Sequence, residues 1–213
     1  MFRTVCLLLC LSLLGTYLLT WAVAPNHALS LNAYDWAEWL SLHPTERTAS
    51  PLLLSSLLIR LHLLIFTVLW TTVLPSRWHS LALLGVLPLI LAQLPPLEFL
   101  SALNDPNYQQ QAGLALLSLV LAGISRWRIW QKYWLQWVLL GAIIGIFSLL
   151  WGTNLGIERM AQYNLKVYYG LGRDLSLWLY SLLGIFALLR LVYQRQLLIN
   201  QKGSLQGYLP VSS

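Results

Sequence analysis

The sequence predicts an all-α fold, a polytopic transmembrane helical bundle of six spans with short amphipathic surface helices in its external loops. Three observations carry this reading. Of 213 residues, 58% are hydrophobic and 9% charged, against roughly 25% charged residues in a soluble domain. The apolar residues gather into six blocks, several near the ~20 residues that a membrane-spanning helix requires. All seven carboxylates (Asp35, Glu38, Glu46, Glu98, Asp105, Glu158 and Asp174) fall between blocks one and two, three and four, or five and six. The alternate segments carry Arg3, Arg77, Arg126, Arg128, Lys132, Arg190, Arg195 and Lys202 and no acid. Short loops rich in Lys and Arg stay in the cytoplasm, which places both termini inside a bacterial cytoplasmic (inner) membrane.

A single transmembrane domain is expected over 1–193, with spans at about 4–24, 51–74, 80–94, 108–124, 134–151 and 175–193 and a disordered cytoplasmic tail over 194–213. The first block resembles a secretory signal, with Arg3 ahead of the apolar run and Ala22-Val23-Ala24 as a cleavage-like site. Pro25 is a poor first residue for a mature chain and the run is long enough to span, so an uncleaved helix is expected. Cys6 and Cys10 share a face of it and read as packing residues. Ser50-Pro51 supplies a cap and a first position for the second span.

The third block is short. From Ser80 to Leu94 a helix rises about 22 Å, against a hydrocarbon core of about 30 Å. Either this helix continues, kinked, through Pro95-Pro96 to Leu103 while the fourth span recruits Tyr108, Gln109 and Gln110, or the two form a re-entrant hairpin shielded by protein. In the first external loop Asn32 is an N-cap with Asp35 three residues on, Trp36, Trp39 and Leu40 share a face, and His43-Pro44 ends the helix. A similar candidate runs over 154–169, with Ile157, Met160, Ala161 and Tyr168 on one side. Both are expected to lie on the outer membrane surface.

Gly141, Gly145 and Ser148, continued by Gly152, form a small-residue stripe suited to close helix packing, as do Ala115, Ser118 and Ala122. Trp127, Trp130, Trp134 and Trp137 follow a 3-4-3 spacing beside Arg126, Arg128 and Lys132, which predicts an interfacial anchor on one helical face. Arg60 and His62 lie at membrane depth, where ionisable groups are costly and mark candidate sites. Two residues are about 200° of helix, so the pair point to opposite faces. Arg60 shares a stripe with Ser56, Thr67 and Thr71, which turns it inward toward a carboxylate. Glu98 is the first expected partner and Asp174 the second. No cofactor is expected; His62 is the one position at which a haem or pigment could be ligated, and no second histidine lies at its depth.

No catalytic motif and no metal-ligand spacing is found, and Gly170-x-Gly172 lacks the strand and third glycine of a dinucleotide site. The +6 net charge is a topological excess and does not indicate nucleic-acid binding. Asp35 and Glu38 read as residues that solvate their helix. The size and six-span layout are similar to the substrate-binding membrane subunits of vitamin-uptake transporters. That family's alanine-based helix-contact motif is absent from the first span, where Ser12, Gly15 and Thr16 are the small residues. The sequence therefore points to a non-catalytic membrane component in contact with lipid and partner subunits. The alternatives are a small-solute transporter or substrate-binding subunit and, last, a lipid-modifying enzyme using Asp35, Glu38 and His43.

Overall fold

The computed structural model describes residues 2–49 and 52–206, and the chain is 80% helical. Ser50 and Pro51, expected to start the second span, lie outside the described residues, as do 207–213 of the tail.

Helix α1 (Phe2–Leu18) stops well short of residue 24, because Thr20–Ala24 turns into strand β1. A turn through Pro25–His27, closed by Ala28 in the left-handed region, returns the chain as β2 (Leu29–Asn32), antiparallel to β1. The expected all-α fold and the 4–24 span are corrected accordingly. An apolar Thr-Trp-Ala-Val-Ala run reads equally well as strand or as a continued helix by hydropathy alone, and the Pro25 turn decides for a strand. A third short strand, β3 (Tyr168–Tyr169), pairs with the other edge of β1, giving the order β2-β1-β3.

Helix α2 (Ala33–Leu42) begins where the cap predicts, with the Asp35 backbone N–H donating to Asn32 Oδ1 at 2.9 Å. It does not lie on a surface. Ala33, Trp36, Ala37, Leu40 and Ser41 are buried, and α2 packs on the long helix that begins at Leu54. After α3 (Pro44–Ala49), helix α4 (Leu54–Val73) runs through the middle of the molecule. Helix α5 (His79–Leu91) is only 13 residues, or about 20 Å. It ends in turns, and Leu97–Ser101 is a separate 3-10 segment, so the third helix does not continue to Leu103. Helix α6 (Pro106–Ile124) recruits the polar residues before 111, as one of the two alternatives requires.

The four tryptophans expected on one face are divided, Trp127 preceding and Trp130 within α7 (Arg128–Lys132) and Trp134 and Trp137 on α8 (Trp134–Ala161), because the chain breaks at Tyr133. Trp130 and Trp137 stack at 3.8 Å, Trp134 meets Phe2 and Arg3, and Trp127 is exposed. The separate surface helix expected over 154–169 is absorbed into α8, which continues through 28 residues to Ala161. No proline interrupts that stretch, and its glycines are contact points. Helix α9 (Leu171–Gln206) likewise runs on through the expected disordered tail as far as Gln206. Residues 194–206 hold no proline and are rich in helix formers such as Gln, Arg and Leu.

Among the described residues three helices are long and apolar enough to cross a membrane: α4, α8, and α9 over Leu171–Leu197. Helix α1 has 17 residues, and α6 opens on a polar turn. The most apolar stretch of α4 is 78% buried, against 39% in α8 and 22% in α9, so α4 is the helix the others surround.

The α8 stripe is an internal seam. A side chain at Gly145 would enter the Tyr180 ring, one at Gly152 would meet Leu58, and one at Gly156 would meet Trp36. Gly141 faces Leu69. The Gly170-x-Gly172 pair serves packing in the same way, with Gly170 against the Thr20 carbonyl and Gly172 against Trp21. Gly145→Ala should therefore displace Tyr180 and destabilise the fold by about 1–3 kcal/mol. Gly113→Ala, where nothing stands within 4 Å, should be stabilising by about 0.5–1 kcal/mol. Thermal unfolding of the two variants in detergent checks the contrast.

Candidate functional site: a buried arginine cluster

Six residues into α4, about 9 Å along its axis, Arg60 is 5% exposed. A guanidinium removed from water must find acceptors and a counter-charge. Two elements supply them. Arg60 pairs with Glu38 of α2 and also donates to Ser41 Oγ at 3.3 Å. From α6 it meets Asn107 Oδ1 at 2.7 Å and Gln110 Oε1 at 2.9 Å.

The partners are themselves tied together. Asn107 Nδ2 donates to Glu38 Oε1 at 3.2 Å, and Gln111 Nε2 donates to Glu38 Oε2 at 3.0 Å. Gln110 Nε2 donates to the Leu52 and Leu53 carbonyls, at 2.8 and 3.2 Å. Leu53 holds a positive φ of 47°, a left-handed backbone that costs a leucine roughly 1–2 kcal/mol, and these bonds help hold it. Ser56 Oγ donates to the Ala37 carbonyl at 2.8 Å.

The expected partners of Arg60 are corrected. Glu98 lies exposed on the 3-10 segment, and Asp174 pairs with its neighbour Arg173 at 2.9 Å. Glu38, expected to solvate its helix, is the counter-charge, because α2 packs into the molecule and turns that residue inward. Thr67 and Thr71 are buried but bond carbonyls of their own helix, Leu63 and Thr67 respectively, at 2.9 Å. Of the stripe, only Ser56 joins the cluster, through a long 3.4 Å contact to Gln110.

The residues missed were Ser41, Asn107, Gln110 and Gln111. For Asn107 and Gln111 the signal was present, because 107, 111, 115, 118 and 122 continue the small-residue face of α6 at helical spacing. Beside the cluster is a cavity of about 10 Å³ lined by Tyr34, Arg60, Gln93 and Gln111 among others. That is room for one water.

A second knot fixes the start of α4. Leu53, the residue at the N-cap, offers no side-chain cap. Glu46, buried on α3, takes that role from a distance by accepting from Ser55 N–H at 3.2 Å and Ser55 Oγ at 2.7 Å. Its carboxylate meets the positive end of the helix dipole and pairs with Arg159 of α8 at 2.9 Å. Asp105 caps α6, accepting from Asn107 N–H at 2.8 Å, and forms a two-pronged pair with Arg47 at 3.1 and 3.3 Å.

His62 points away from Arg60, as the 200° spacing requires. Its Nδ1 lies 2.9 Å from Tyr180 Oη and its Nε2 3.4 Å from Ser148 Oγ. Both ring nitrogens are thus engaged inside the core, and an axial ligand would have to break that chain. Asp35, Glu38 and His43 do not converge. Asp35 accepts from Asn32, Glu38 holds Arg60, and His43 lies between the rings of Trp39 and Tyr163. Among the described residues no group of three or more His, Cys, Asp or Glu is placed to hold a metal.

Charge separates along the molecule. Glu38, Glu46, Arg47, Asp105 and Arg159 knot the end where α4 begins. At the other end of α4, Arg126 donates to the Thr71 and Leu74 carbonyls at 3.1 and 3.2 Å and Arg3 to that of Val73 at 3.4 Å.

Removing either member of the central pair should be costly. Arg60→Ala and Glu38→Ala are each expected to destabilise the protein by about 3 kcal/mol, the double variant adding little to either single one. Glu98→Ala and Asp174→Ala should stay within about 0.5 kcal/mol of the parent. Unfolding midpoints in detergent test this, and additive losses for Arg60 and Glu38 would refute the coupling.

No protein-family model, no curated protein and no solved structure matches the chain.

Proposed function

We propose that the chain is a non-catalytic, multi-pass protein of a bacterial inner membrane that works as a subunit or accessory component of a larger membrane assembly. The observation that carries this is the closure of the polar interior. Arg60, Glu38, Asn107, Gln110 and Gln111 satisfy one another, and the cavity that Arg60 and Gln111 line is the size of one water. Such a cluster fastens helices, whereas a solute carrier needs polar groups left free to face a cargo.

In this reading α1, α4, α5, α6, α8 and α9 all cross the bilayer, and both termini are cytoplasmic. Two features support it. The end where α4 stops carries Arg3, Arg77, Arg126, Arg128 and Lys132 without an acid, as a cytoplasmic face should. Large apolar side chains are exposed along α5, α6, α8 and α9, for example Leu84, Leu116, Ile143 and Ile185, as contact with lipid or a neighbouring subunit requires.

Cysteine labelling tests the topology with little background, since Cys6 and Cys10 are buried. Asp35→Cys, Glu98→Cys and Glu158→Cys should react with an impermeant thiol reagent in intact cells, while Arg128→Cys stays protected. The reverse pattern would overturn the orientation. Purification in mild detergent should recover a stoichiometric partner polypeptide. A monomer that retains a small molecule, which Arg60→Ala releases while remaining folded, would refute the subunit reading in favour of the carrier.

A further inference from the structure

Helix α9 is packed on one side only. Its inner face, Ser176, Tyr180, Leu183 and Ala187, is buried, and the helix packs on α8 and α1. The opposite face carries a stripe that repeats every 3.5 residues. Leu175, Leu182, Leu189 and Gln196 are each followed three residues on by Trp178, Ile185, Val192 and Ile199 respectively. The first set are a positions of a heptad and the second are d positions. All eight are exposed, Leu189 by 62% and Ile199 by 61%. With Leu171, which begins the stripe, they present on the order of 800 Å², the share that each partner buries in a stable interface.

Lipid covers only part of this stripe. About 20 residues cross the hydrocarbon core, so a span that starts at Leu171 ends near Leu191. The stripe runs on through Val192 and Gln196 to Ile199, beside Gln194 and Arg195, which belong in water. Intramolecular packing ends sooner still. Beyond Ala187 no described residue of α9 is buried, and all of 192–197 are exposed. The helix nevertheless continues to Gln206. A lone helix of about 15 residues is marginal in water, so this extension calls for a partner helix that reads the heptad.

The stripe suits further copies of itself. Copies inserted in one membrane share an orientation, so their α9 helices run parallel and like positions meet at one level. Gln196 then meets Gln196, and an amide both donates and accepts. A single polar a position of this kind fixes register. The apolar layers also select the number of strands. Leucine at a, in 175, 182 and 189, with β-branched residues at d, in 185, 192 and 199, favours three or four strands over two.

We infer that the chain self-associates through this stripe, as a parallel bundle of three or four α9 helices, one from each copy. The inference rests on the membrane-inserted reading above and gives the larger assembly a centre of identical subunits.

The test pairs native mass spectrometry of the full chain in mild detergent with cross-linking in membranes by a short bis-maleimide. Cys6 and Cys10 are buried and stay silent. The parent chain should appear as three or four copies. Val192→Cys and Ile199→Cys should cross-link copy to copy, whereas Gln194→Cys, on the outer side of such a bundle, should not. Ile199→Glu should lower the oligomer fraction about tenfold or more in a chain that remains folded, and Ile199→Leu should keep it. A parent chain that is monomeric or dimeric, equal cross-linking at 194 and 199, or an oligomer indifferent to Ile199→Glu would each overturn the inference. Cross-links from Ile199→Cys to a different polypeptide alone would overturn it and leave the subunit reading standing. A chain that fails to enter membranes would overturn both.

Discussion

The constraint on which the rest of the structure depends is the guanidinium of Arg60, set about 9 Å inside the central helix. Nothing on α4 itself can neutralise it, so its partners must come from elsewhere. Helix α2 folds back against α4 and delivers Glu38, which makes the segment between α1 and α4 part of the core. Helix α6 opens on Asn107, Gln110 and Gln111, a polar turn that would be a poor start for a span facing lipid. Gln110 links the arginine to the strained backbone at Leu53. The loop fold, the start of α6 and the entry into α4 thus answer one buried charge.

The two ends of α4 are finished by opposite chemistry for one reason. Its first N–H groups carry partial positive charge and take a carboxylate, Glu46, borrowed from α3. Its last carbonyls carry partial negative charge and take Arg126 and Arg3. The charge segregation along the molecule is therefore also what finishes the two ends of the central helix. Beyond Arg60 the interior along α4 is apolar, and the polar groups it does hold are neutral. The His62–Tyr180–Ser148 chain joins α4, α9 and α8 by hydrogen bonds that need no counter-ion.

Much of this was legible in the sequence. The Asn32 cap, the inward turn of Arg60, the opposite heading of His62 and the small-residue seam of α8 all follow from helical spacing. What escaped were features that spacing along one helix cannot carry. Glu38 was misread because its own helix offered a plausible solvated face, and only tertiary packing turned that face inward. The β1–β2 hairpin was hidden because its residues are as apolar as the span they follow. The tryptophan face failed at Tyr133, where a break that no proline or glycine announces divides one predicted helix into two. The continuation of α8 and α9 past their apolar stretches shows that hydropathy marks where an apolar run ends and leaves open where a helix ends.

The short α5 raises a physical question that its flanks answer. A helix of about 20 Å leaves some 10 Å of a hydrocarbon core uncovered, so if α5 crosses as proposed, the segment after Leu91 lies within or against the outer leaflet. Backbone there is tolerable only when its polar groups are paired. The pairs are present. Gln93 N–H donates to the Ile90 carbonyl at 3.0 Å, Phe99 N–H to that of Pro96 at 3.0 Å and Ala102 N–H to that of Phe99 at 3.1 Å. Gln93 adds its side chain, donating to the Leu89 carbonyl at 2.9 Å and accepting from Ser118 of α6 at 2.8 Å. Two prolines remove two donors that would otherwise need partners. The exposed side chains of the segment, Leu94, Leu97, Leu100 and Leu103, are those expected of a loop that meets hydrocarbon. The region that looked too short to be a span is thus built to lie where a short span would leave it.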